Sequence, residues 1–151
     1  MARKHLGRFV PLANGVDVLD RDHNHVEHRA GEVVIRKGTQ RVPAGELAVI
    51  PSNLLDDIAL VRATAKVDEI EQCLPHGTGR TMSRSMAKEA AREFDFDELR
   101  RAVHIPPRIG NESLRTETPS CYRRLDDGLA LMAGYLEVVE RLTPVAYIGQ
   151  L

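Results

Sequence analysis

The 151-residue sequence predicts an α+β fold, a mixed β-sheet flanked by helices. Three observations lead there. Short β-branched runs alternate with Gly- and Pro-containing turns through the first part of the chain. A Gly-rich turn at 76–79 opens onto a stretch of helix-forming residues. Towards the C-terminus, Leu125, Leu129, Met132, Leu136, Val139 and Leu142 recur at steps of four and three, an apolar stripe. The length is that of one domain with room for a real core, so a single domain over 1–151 is expected.

Residues 1–19 carry little pattern beyond Phe9-Val10 and an Asn14-Gly15 turn. Strands are expected around 33–35, 48–50 and 59–61, each inside a run of Val, Ile, Leu or Ala. A helix near 83–92 follows the Gly-rich turn. The spacing of Phe94, Leu99 and Val103 suits a short helix with an inward apolar face, and Asp95 or Asp97 is its candidate cap. Pro106-Pro107 and Gly110-Asn111 mark a loop. The apolar stripe predicts a helix over 126–142 packed on the sheet. Pro144 would end it, leaving 145–148 as a last buried strand.

Composition excludes several classes of function. Lys and Arg total 21 against 22 Asp and Glu, so any basic surface must be local. Three Phe, three Tyr and no Trp argue against an aromatic platform for stacked bases. Two cysteines, Cys73 and Cys121, are too few for a disulfide framework. No apolar run approaches membrane-spanning length, and residues 1–5 lead into no signal-peptide core. A cytoplasmic protein is expected.

Chemistry concentrates in two stretches. In the first, 73–89, His76 sits in a turn whose Gly77 and Gly79 let backbone amides approach a ligand. Arg80, Arg84, Lys88 and Arg92 recur every four residues and would share a face if the helix begins near Thr81 or Ser83. A neutral imidazole beside a phosphate site can serve as nucleophile, base or metal ligand; the alternative is a capped helix with a solvated basic face. In the second, 20–29, His23, His25 and His28 stand among Asp20, Asp22 and Glu27. Such a group can hold a Zn or Mn ion, or form an ordinary polar loop. Between these stretches, Arg36-Lys37-Gly38-Thr39-Gln40-Arg41 clusters cations around a glycine, suited either to phosphate or to a plain charged turn.

Residues 75–88 resemble the His-Gly-Ala-Gly-Arg-x-x-Ser-Arg-x-x-Ala-Lys signature of the RtcB family of GTP-dependent RNA ligases, with Thr78 in place of Ala. His23-Asn24-His25-Val26 resembles the family's His-Asn-x-Val, and the 36–41 loop its Arg-Lys-Gly-Ala-Thr-Arg. Glu117-Thr118-Pro119-Ser120-Cys121-Tyr122 is similar to Asp-Glu-x-Pro-x-Ala-Tyr. Ile50-Pro51-Ser52 begins like Ile-Pro-Gly-Ser-Met-Gly but continues Asn53-Leu54-Leu55-Asp56-Asp57, losing both glycines and placing two carboxylates where phosphates would lie. The family's terminal Val-x-Val-Lys-Gly lysine is absent from Gly149-Gln150.

The resemblance covers about residues 17–150 and only the C-terminal part of the family. It implies that His76 takes GMP covalently, that His23 is a manganese ligand, and that Asn24, Arg80, Arg84 and Tyr122 contact the guanylate. GTP and Mn²⁺ are the implied cofactors. The implied substrate is RNA (tRNA halves or broken RNA), whose 3′-phosphate or 2′,3′-cyclic phosphate end is joined to a 5′-hydroxyl. The family's upstream half supplies the other manganese ligands. The resemblance therefore also admits a non-catalytic nucleotide- or RNA-binding relative, or one half of a split enzyme whose second chain brings those ligands.

Overall fold

The computed structural model describes Leu19 and residues 21–147. The Asn14-Gly15 turn, Asp20 and the Gly149-Gln150 pair lie outside the described residues, as does Ile148. The α+β class holds, with the strands distributed over three small antiparallel sheets in place of one mixed sheet.

Strands β1 (Asn24–Arg29) and β2 (Glu32–Lys37) form a hairpin. Strand β3 (Thr39–Arg41) pairs with β6 (Cys73–Pro75), and β4 (Leu47–Ile50), β5 (Ile58–Ala63) and β7 (Leu136–Leu142) make the third sheet in the order β4-β5-β7. The runs expected at 33–35, 48–50 and 59–61 lie within β2, β4 and β5. Period-two alternation explains β5, in which Ala59, Val61 and Ala63 are buried while Arg62 is exposed.

Among the described residues the α-helices are α1 (Arg84–Ala90), α2 (Phe96–Ala102), α3 (Asn111–Leu114) and α4 (Leu125–Ala130), with 3-10 turns at Ala65–Ile70 and Pro119–Cys121. The Ser83 hydroxyl accepts the Met86 N–H at the start of α1, and the Asp95 carboxylate accepts those of Asp97 and Glu98 at the start of α2. Two apolar clusters result. One gathers Val42, Ile50, Val61, Val67, Leu74, Leu125 and Leu136 around the third sheet; the other gathers Phe96, Leu99, Val103, Ile109 and Leu114 around α2 and α3.

The helix expected over 126–142 is not formed. Helix α4 stops at Ala130, the chain reverses through Gly134 at φ +91°, and residues 136–142 run back as β7 beside β5. Two glycines within the stripe and the Val138-Val139 pair weaken a helix there, while a left-handed Gly134 permits the turn. The same apolar positions serve both readings only in part: Leu125, Leu129 and Leu136 are buried, but Val139 and Leu142 are exposed on the edge strand. The expected strand at 145–148 reduces, among the described residues, to one parallel bridge between His104 and Ala146.

Arg36 and Arg41 are structural. Arg36, only 3 % exposed, ion-pairs with Glu27 at 3.2 Å and donates a hydrogen bond to the Cys73 thiol; Arg41 lies 3.6 Å from Glu27 and also bonds Gln72. On the opposite face of the hairpin, Val26, Val33 and Ile35 are exposed, Ile35 to 75 %.

A Cβ at Gly128 on α4 would lie 2.8 Å from Thr78 Cγ2 and 3.0 Å from its Cβ, so Gly128→Ala should overpack this contact and cost about 1–3 kcal/mol. Denaturant unfolding checks this, and an unchanged midpoint would refute it. The hydrogen bond from Arg29, with that from Arg36, holds the Glu27 carboxyl down at about 2, from an ordinary 4.5. Its stabilisation is therefore full above pH 4.5 and is lost as pH falls towards 2. The melting-temperature gap between the native chain and Glu27→Gln should be constant above pH 5 and close over that window. A gap independent of pH would contradict this role.

Candidate active site

The site forms where β6 ends. Residues 73–75 are held to β3, and the chain then turns through His76-Gly77-Thr78-Gly79 before α1 begins. This turn is pinned from both sides. The Thr78 N–H donates to the Pro51 carbonyl at 3.0 Å, the Thr78 hydroxyl donates to the Arg123 carbonyl at 2.9 Å, and the Arg123 N–H donates to the Gly79 carbonyl at 3.0 Å. Gly77 is needed here, since a Cβ would sit 3.1 Å from the Pro51 oxygen.

His76 is oriented by one backbone carbonyl. Its Nδ1 lies 2.5 Å from the Gly38 oxygen, which also accepts the His76 backbone N–H at 3.3 Å. A carbonyl only accepts, so Nδ1 carries the proton and Nε2 keeps a lone pair. Gly38 is in turn fixed by Asn24, whose side-chain oxygen accepts the Gly38 N–H at 2.9 Å. The His23 ring stacks on His76 with centroids 5.1 Å apart and planes 17° from parallel.

On its other side His76 borders a cavity of about 560 Å³, with Asn53, Arg80, Arg84 and Tyr122 also in its lining. Arg80 precedes α1 and pairs with Tyr122 through a β-bridge, so it is not part of a helical basic face. Its Nη1 donates to the Tyr122 hydroxyl at 2.8 Å and lies 3.7 Å from Glu117, while its guanidinium carbon is 4.8 Å from the Tyr122 ring centroid. Tyr122 donates its own proton to Glu117. Burial first, and this hydrogen bond second, push the phenol well above its ordinary range, so it stays a neutral donor. Arg80 Nε and Nη2 are buried and have no hydrogen-bond partner among the described residues. The remaining cations of the expected face are spent on surface pairs, Lys88 with Glu112 and Arg92 with Glu89; Arg84 lines the cavity.

The structure thus brings His23, Asn24 and His76 together around Gly38, and His76, Arg80, Arg84 and Tyr122 together around the cavity. Two participants escaped the sequence reading: Gly38 as the carbonyl that orients His76, and Glu117 as the anchor of Arg80 and Tyr122. Both stood in the quoted motifs, but only as a turn glycine and a matching acid. Asp56 and Asp57, which sequence places against phosphates, do not line the cavity. Asp56 caps α4 by accepting the Leu125 N–H at 2.9 Å, and Asp57 accepts the Thr143 hydroxyl at 3.1 Å.

Manganese fits less well than nucleotide. Among the described residues, no three His, Cys, Asp or Glu side chains converge to hold a metal ion. Cys73 is engaged by Arg36, and His23 stacks on the His76 ring.

Comparison with known proteins places this geometry. The chain is 29 % identical over 143 residues to the RNA-splicing ligase RtcB of Escherichia coli (strain K12) and, equally, to the RNA-splicing ligase RtcB1 of Escherichia coli (strain ATCC 25922). Each alignment covers 91 % of this chain and 34 % of the relative, so the chain spans about a third of the length of the curated relatives it matches. The profile of the family described as tRNA-splicing ligase RtcB matches residues 2–150, and since that match runs through every segment that builds the site, the chain belongs to the RtcB family.

Proposed function

We propose that this chain is the nucleotidyl-transfer portion of an RNA ligase, in which His76 takes up GMP from GTP for the joining of RNA 3′-phosphate or 2′,3′-cyclic phosphate ends to 5′-hydroxyl ends. The observation that carries this reading is the orientation of His76, whose Nδ1 is held by the Gly38 carbonyl while the residue lines a cavity together with Arg80, Arg84 and Tyr122. GTP supplies an activated α-phosphate. Nε2 attacks that phosphorus; the N–P bond forms as the P–O bond to pyrophosphate breaks. The imidazole gains positive charge, and the Gly38 carbonyl at Nδ1–H stabilises it. Arg80, held by Glu117 and Tyr122, lines the same cavity and brings its positive charge to the phosphate oxygens. Arg84 adds a second cation at the same cavity, and Asn24 acts through Gly38.

The second reading, a split enzyme, is favoured by the lack of a metal-ligating cluster among the described residues. No manganese-dependent step is assigned to this chain. In this reading a second polypeptide presents carboxylate or thiolate groups beside His23, and the isolated chain ligates RNA poorly or not at all.

Incubation with α-labelled GTP and Mn²⁺, followed by a denaturing gel, tests the proposal. The label should stay on the native chain and be lost in His76→Ala; a chain that takes no label, even with added upstream RtcB polypeptide, would sink it. Robust ligation by the purified chain would instead remove the need for a second polypeptide. Asn24→Ala should slow labelling about tenfold, roughly 1.4 kcal/mol of lost positioning, with GTP affinity unchanged. ¹⁵N chemical shifts should report Nδ1–H on native His76 and a mixture of tautomers in the variant. Weakened GTP binding at an unchanged labelling rate would give Asn24 a direct nucleotide contact instead.

A further inference from the structure

One contact of His76 lies outside its hydrogen bonding. The His23 ring rests on it with centroids 5.1 Å apart and planes 17° from parallel, the arrangement of an offset stack. An imidazole binds a metal ion through an in-plane lone pair, whereas it stacks through its face. The two duties use different parts of the side chain and are separable by substitution. The donor set around His23 favours the second, since among the described residues no three His, Cys, Asp or Glu side chains gather to hold an ion.

The stack supplies a restraint that the Gly38 carbonyl lacks. A hydrogen bond at Nδ1 lies in the plane of the imidazole and resists rotation within that plane, but it leaves the ring able to rock out of it. A second ring laid on one face opposes the rocking. His23 and His76 are both exposed, so bulk packing does not fix the tilt. The support is itself held. Arg21, two residues before His23, donates to the Leu47 carbonyl at 2.8 Å and the Arg41 carbonyl at 3.0 Å, and ion-pairs with Glu46 at 2.7 Å. Arg21, His23, Gln40 and His76 line a small cavity of about 230 Å³, where Gln40 is locked by bonds to the Val49 and Pro75 carbonyls at 2.9 Å each. Directly after His23, Asn24 accepts the Gly38 N–H. The His23-Asn24 pair thus reaches His76 by two routes, one through the ring face and one through Gly38.

We propose that His23 is a positioning residue, whose ring face holds the His76 imidazole flat with Nε2 directed at the incoming phosphate, and that it does so without ligating a metal ion. The proposal rests on the nucleotidyl-transfer reading and gives His23 its task within it. His23→Phe keeps a ring face and loses both nitrogens; His23→Ala loses face and nitrogens alike. At saturating α-labelled GTP with Mn²⁺, labelling of His76 should slow about tenfold in His23→Ala but stay within about threefold of native in His23→Phe, with GTP affinity alike in all three. A second readout needs no nucleotide. The NMR order parameter of the His76 ring should fall in His23→Ala and recover in His23→Phe, and the ring-current shift of its protons should vanish and return in step. A native order parameter in His23→Ala would overturn the proposal, as would native labelling by that variant. Labelling by His23→Phe as slow as by His23→Ala would overturn it too, in favour of a role for the His23 nitrogens. If the native chain takes no label, the nucleotidyl-transfer reading fails, while an order parameter that falls in His23→Ala and recovers in His23→Phe still supports the restraint on His76.

Discussion

The site depends on one backbone carbonyl. The Gly38 oxygen receives both the ring and the main-chain N–H of His76, and so fixes which nitrogen of the imidazole is basic and where it points. That carbonyl is presented by a residue at φ +71°, a conformation open to glycine and strained for a residue with a Cβ. The bend it makes separates β2 from β3, and β3 is the strand that holds β6 and hence the nucleophile itself. One local conformation therefore sets both the chain path and the tautomer. Asn24 on β1 closes the loop by holding the amide on the other side of the same glycine.

Charge is divided by function along the same lines. Arg36 and Arg41 converge on Glu27 and tie the β1/β2 hairpin to β3 and β6, which makes them struts. Arg100 performs a similar task for the loop after α2. Arg80 combines both roles: one nitrogen is anchored by Glu117 and Tyr122, and the residue also lines the cavity, so its charge is held in place before an anion arrives.

How much of this could be read from sequence follows from what each feature depends on. Strands β2, β4 and β5 were legible because alternation and β-branching are local properties. The cap of α2 was legible because Asp95 acts on N–H groups two and three residues away. The segment 126–142 was misread because steps of four and three also place Leu125, Leu129 and Leu136 on one side of a helix-turn-strand. The glycines at 128 and 134 and the β-branched Val138-Val139 pair argued otherwise. Clustered cations at 36–41 stayed open between a phosphate site and a plain charged turn because the partner of Arg36 and Arg41, Glu27, lies on another strand. Likewise Asp56 looked hostile to phosphate until α4 supplied the N–H that it caps. The gathering of His23 and Asn24 with His76 came from a motif resemblance; the role of Gly38 required coordinates, because a carbonyl leaves no trace in composition.

Strand β7 closes the third sheet on one side and has no strand beyond it among the described residues. Its outward row of N–H and C=O groups is a template for another extended chain, and Val138 and Val139 are exposed along it. Glu137, Glu140 and Arg141 are interspersed there and discourage such addition, but a net charge of −1 gives little long-range repulsion between molecules. This border is thus a place where two copies could meet in a concentrated solution. Added acidic charge would oppose that meeting more than a tighter core.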